Sequence, residues 1–75
     1  MTNIAITHTW QQITTPSVFQ VQGGRIGVYV GDTPNTASPL FILQTLDYWE
    51  NTTSDVVWVR TLEASDTSYI VLRTL

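Results

Sequence analysis

Apolar and polar residues alternate with a period of two along most of this chain, the repeat of a strand buried on one face. The first run sets Ile4, Ile6, His8 and Trp10 on one side and Ala5, Thr7 and Thr9 on the other. It predicts a strand over 4–13, ended by Thr15-Pro16, because proline brings no N–H to a ladder. The next run, 17–22, separates Phe19 and Val21 from Gln20 and Gln22. A third, 25–31, turns Ile26, Val28 and Val30 inward and Arg25, Gly27, Tyr29 and Gly31 outward. Further strands are predicted over 39–46, 56–62 and 68–74. Only "LFILQTLDYWE" admits a helical stripe, through Leu40, Leu43 and Tyr48, and its proline entry and Phe-Ile centre favour a strand. Thirteen threonines and the β-branched and aromatic residues around them suit strands as well. The pattern predicts an all-β fold, a small antiparallel β-sandwich or barrel of about six strands. Residues 1–75 form a single domain.

Gly23-Gly24 stands between two of these runs. A phosphate-binding loop needs a glycine-rich turn that opens a helix, and here a strand follows with no Gly-Lys-Ser/Thr ending. Two residues of this type between alternating runs predict a hairpin turn instead, pairing 17–22 with 25–31. Gly27 and Gly31, on the outer face of the third run, suggest bulges or the close approach of another backbone, including that of a neighbouring subunit. "GDTPNTASP" is the longest loop, with a turn at Thr33-Pro34-Asn35.

Composition narrows the function. A chain of 75 residues buries only about 60% of its unfolded surface, so domains of this size lean on disulfides, metals or partners. There is no cysteine and one histidine, His8, so self-association is the expected route. The net charge is −3, all three basic residues are arginines, and there is no lysine. That excludes the basic stripe of a nucleic-acid binder. No 18-residue apolar run is present to cross a membrane. "MTNIAITHTW" lacks the basic and apolar regions of a signal peptide, which predicts synthesis in the cytoplasm. Asn51-Thr52-Thr53 matches a glycosylation sequon and reads as a polar turn.

Catalytic chemistry finds little support. His8 would need a nucleophile and an orienting acid, but Ser17, Ser38, Ser54, Ser65 and Ser68 fall in or beside turns, none in a nucleophile elbow. Asp32, Asp47, Glu50, Asp55, Glu63 and Asp66 are scattered over loops and match no calcium loop. No enzyme activity, cofactor or metal is expected. The aromatics are more telling. Neighbours on a strand point to opposite faces, so one of Tyr48 and Trp49 must leave the core. Val56-Val57-Trp58-Val59 is apolar on both faces, more than a small sheet covers by itself. Tyr48, Trp49, Val56, Trp58 and Arg60 are the candidate interface residues.

The order of "TWQQIT", an alternating strand, "GGRIGVYVGDTPNTASP", an aromatic-rich segment and "VVWVR" resembles small β-structured virion proteins of tailed bacteriophages. The resemblance spans roughly 17–62 through short motifs. A Pro-Gly-Glu turn before the aromatic segment is missing, and "LQTLDYWEN" stands there. The resemblance implies a non-enzymatic structural role, first of all a capsid decoration (cement) protein on the head surface of the virion. Its partners would be the lattice of major capsid protein and copies of itself. A tail or fibre component touching receptor or other tail proteins is the alternative.

Overall fold

The computed structural model describes residues 2–35, 38–64 and 67–75. Among them the chain forms eight strands and no helix: β1 (Thr2–Ile6), β2 (Gln11–Ile13), β3 (Ser17–Gly23), β4 (Ile26–Val30), β5 (Phe41–Leu43), β6 (Tyr48–Asn51), β7 (Val57–Thr61) and β8 (Ser68–Thr74). They build two four-stranded antiparallel sheets in the orders β1-β8-β3-β6 and β2-β7-β4-β5. The architecture is a small β-sandwich. Ile6, Phe19, Val21, Ile70 and Leu72 of the first sheet meet Ile13, Ile26, Val28, Val57 and Val59 of the second, each no more than 6% exposed. Alternation within each strand places these residues on one face, so β3, β7 and β8 follow the predicted pattern, as does β4 up to Val30, which is predicted inward and is 38% exposed at the strand end.

The predicted strand 4–13 is two strands in two sheets. After pairing with β8, the chain bends at Thr7–Trp10, and the Thr7 carbonyl accepts the Thr61 N–H of β7 at 2.8 Å. The bend hands the chain from one sheet to the other, which a sandwich does at its corners. Ile6 and Ile13 both reach the core, one from each sheet. His8 therefore lies on an exposed bend and not on a core-facing strand.

The hairpin expected at Gly23-Gly24 is an arch. β3 pairs with β8 and β6, β4 pairs with β7 and β5, and the two never pair with each other. Phe19 and Val21 instead face Ile26 and Val28 across the core. The turn itself is present: Gly24 has φ +80°, and a Cβ there would run into Ser68 and sit 2.9 Å from Glu63 Cγ. A register shift between Val21 and Gly23 leads into it.

The predicted strand 39–46 shortens to β5. Its chain then turns through 44–47, with the Asp47 N–H donating to the Gln44 carbonyl at 2.9 Å and the Gln44 N–H to Asp47 Oδ2 at 2.8 Å. Leu46 takes φ 75° in that turn, and β6 follows as a strand of its own. Six segments thus become eight strands. Among the described strands, only β4 and β5 are consecutive in one sheet; every other consecutive pair is divided between the two.

Gly27 carries no bulge. It pairs with Arg60 on one side and Ile42 on the other, and its bare outer face seats Leu40 of the same chain, 3.0 Å from where a Cβ would stand. Leu40 takes the space that the sequence left open for a neighbouring backbone. Gly31, at φ 138°, lies against the Tyr29 ring.

Candidate functional site

The candidate interface residues occupy three separate regions. On the outer face of the second sheet, Trp58 sits between Gln12 and Tyr29 in the ladder, and Arg60 stands opposite Gly27. Trp10, just before β2, meets the Tyr29 ring edge-on with centroids 6.3 Å apart. The Arg60 guanidinium lies over the Trp10 ring at 5.5 Å. Trp58 Nε1 donates to the Gly31 carbonyl at 3.2 Å. All four side chains are half-buried. The apolar excess of Val56–Arg60 thus has two destinations: Val57 and Val59 fill the core, and Trp58 is covered from outside by its own chain. Trp10 and Tyr29 complete this cluster. The sequence hides them, because which strands lie beside β7 depends on the sheet order.

Tyr48 lies on the opposite outer face. In the first sheet it pairs with Gln20, which pairs in turn with Val71, while Glu50, Val18 and Arg73 form the next row. Val18, Gln20, Tyr48, Val71 and Arg73 line a groove of about 320 Å³. Tyr48 is 70% exposed at its rim. Gln20 is held in place, its Nε2 donating to the Leu46 carbonyl at 3.1 Å and its Oε1 accepting from Gln22 Nε2 at 2.7 Å. An apolar floor with an arginine at the end that makes no ion pair among the described residues suits a partner of mixed apolar and acidic character.

Trp49 points the other way from Tyr48, into the sandwich, where it stacks obliquely on Phe41 with ring centroids 5.4 Å apart. Its Nε1 is buried without a hydrogen-bond partner among the described residues. Phe41, and Ile42 and Leu46 in and after β5, are each about three-fifths exposed. They mark the side where the edge strands β5 and β6 lie together, and the sequence reading missed them. Val56 is 37% exposed just before β7, and its carbonyl accepts the Gly31 N–H at 2.9 Å.

Candidate catalytic groups do not converge. His8 Nε2 is 2.8 Å from the Glu63 carbonyl oxygen on the surface. Ser17 and Ser68 are buried, and Glu63 pairs with Arg25 at 3.4 Å. Ser65 and Asp66 lie outside the described residues. Among the described residues, no three of His, Asp and Glu gather where they could hold a metal ion, and no helix is long and apolar enough to cross a membrane.

Set against known protein families, curated proteins and solved structures, the chain matches none.

Proposed function

We propose that this chain is a non-enzymatic structural protein that docks on a larger assembly, as a decoration protein on the shell of a phage head. The observation that supports docking is Tyr48, 70% exposed beside the apolar floor of Val18 and Val71. Covering an aromatic of this kind contributes roughly 1.5–3 kcal/mol by area, and tyrosine and arginine are the side chains that anchor interfaces. Arg73 at the end of the groove supplies a charged contact. The assignment to a phage shell rests on the resemblance of the 17–62 segment, with the lattice of major capsid protein as partner. Such a protein acts by mass action: at a hundredfold excess over Kd, binding stabilises the bound state by about 2.7 kcal/mol.

The test is cosedimentation of the protein with empty heads and with purified tails, followed by heating of decorated and bare heads. Head binding that Tyr48→Ala and Arg73→Ala both weaken, together with better survival of decorated heads, supports the reading. Binding to tails alone moves the protein to the tail or fibre. Binding to neither rejects both.

A further inference from the structure

We propose that the β5/β6 side of the sandwich is a self-association surface, on which a second copy of the chain lies edge to edge. β6 would pair with β6 of the copy and β5 with its β5. This surface adjoins the groove on the first sheet at Tyr48 and does not depend on the shell-docking reading.

The core lacks a wall on this side. Phe41 stands opposite Val28 in the ladder and so shares its inward face, yet Val28 is fully buried and Phe41 is 60% exposed. Trp49 stands opposite Phe19, and Leu43 opposite Ile26; both partners are buried, whereas Trp49 and Leu43 are only half-buried. At the other side of the sandwich, Ile6 on β1 and Ile13 on β2 are sealed to 0% and 2%. The core is closed at one side and open at the other.

Like the β1/β2 side, the open side carries two strand edges that are unpaired among the described residues. β6 has a single neighbour in the first sheet and β5 a single neighbour in the second. The Phe41–Trp49 contact shows that these edges lie one above the other. Monomeric proteins shield such edges with very short strands, charged side chains, prolines or bulges. β5 and β6 are short, at 3 and 4 residues, and carry one charge, Glu50; neither contains a lysine or a proline.

The geometry selects a second copy as the occupant. A single peptide strand extends one sheet only, whereas two stacked edges about 10 Å apart need two strands at the same spacing. The same side of another copy supplies both through a two-fold axis perpendicular to the sheets. That operation keeps inward faces inward and joins Phe41, Leu43 and Trp49 of both copies in one continuous core. Charge sets the register. Pairing about Glu50 would put two carboxylates directly opposite each other, roughly 5 Å apart, which is destabilising. Pairing about Trp49 puts Tyr48 opposite Glu50 of the copy instead. The area is adequate as well. Phe41, at 60% exposed, offers more than half of the roughly 150–250 Å² that an aromatic can bury. With Ile42, Leu46 and the main chain of both copies added, the total reaches the order of 1,000 Å² that a specific interface needs.

The experiment is sedimentation equilibrium of the full chain, alone and as Ile42→Lys, Glu50→Lys and Arg73→Ala. The wild type is expected at twice the chain mass. Ile42→Lys, on the outer face of β5, should raise the dimer Kd at least about a hundredfold while leaving the β-sheet circular dichroism unchanged. Glu50→Lys, which sets a lysine on the edge of β6, should weaken the dimer as well. Arg73→Ala should remain dimeric even where it loses shell binding, which separates failure of this proposal from failure of the docking reading. A wild type that stays monomeric over the full concentration range overturns the proposal. So does a dimer that Ile42→Lys leaves intact.

Discussion

Thr61 and Ser68 touch through their hydroxyls at 2.6 Å, both fully out of solvent, one in each sheet. The ends of the chain they form fix its direction. The Glu63 N–H donates to Thr61 Oγ1 at 3.1 Å, and Ser68 Oγ donates to the Arg25 carbonyl at 3.0 Å. Thr61 must then donate to Ser68, and every hydroxyl proton is placed. A buried polar group without a partner costs about 1–3 kcal/mol. Thr61→Val and Ser68→Ala should each lose roughly that much in urea denaturation. The double variant should lose less than the sum, because the two side chains share one network.

Gly24 and its neighbour should respond differently to a methyl group. Gly24 has positive φ, and a Cβ there would collide with Ser68 and Glu63; at Gly23 a Cβ would meet only the Tyr69 ring at 3.8 Å. Left-handed backbone costs a non-glycine residue about 1–2 kcal/mol before any clash. Gly24→Ala should therefore lower stability by about 2 kcal/mol or more, and Gly23→Ala by well under half of that. Thermal melts of the two variants side by side check the difference.

Phe19 and Phe41 both face inward, at 2% and 60% exposed. Phe19→Ala removes a filled core position, a change worth about 3–5 kcal/mol, and should leave the domain largely unfolded. Phe41→Ala should keep the near-ultraviolet circular dichroism of a packed sandwich.

Arg25 and Glu63 form an ion pair at 3.4 Å with side chains 52% and 32% exposed. Exposed pairs contribute about 0–1 kcal/mol. Arg25→Gln should fall within that range, and the difference from wild type should shrink further in high salt.

The sequence exposes the strands that stay within one sheet. Phe19/Val21, Ile26/Val28, Val57/Val59 and Ile70/Leu72 alternate cleanly and are all buried. It conceals the places where the chain changes sheets. Alternation runs straight through Ile6, His8 and Trp10, so nothing in the residues marks the bend that sends Ile6 and Ile13 into opposite walls. Gly23-Gly24 suits an arch as well as a hairpin, because both need only a residue at positive φ. The turn before β6 contains neither glycine nor proline: Leu46 adopts φ 75° there, held by Asp47 and Gln44, and no residue type announces it. The interface candidates share this limit. That Tyr48 and Trp49 face opposite ways follows from strand geometry, but the grouping of Trp58 and Arg60 with Trp10 and Tyr29 follows only from strand order.

Because nearly every connection passes from one sheet to the other, neither sheet is made from a contiguous piece of chain. β1 and β8, the first and last strands, are partners in the same ladder. No segment can detach with its hydrogen bonds intact, so partial opening has no natural unit smaller than the domain. Amide hydrogen exchange in β3, β4, β7 and β8 should therefore occur at a single common free energy, equal to that of global unfolding.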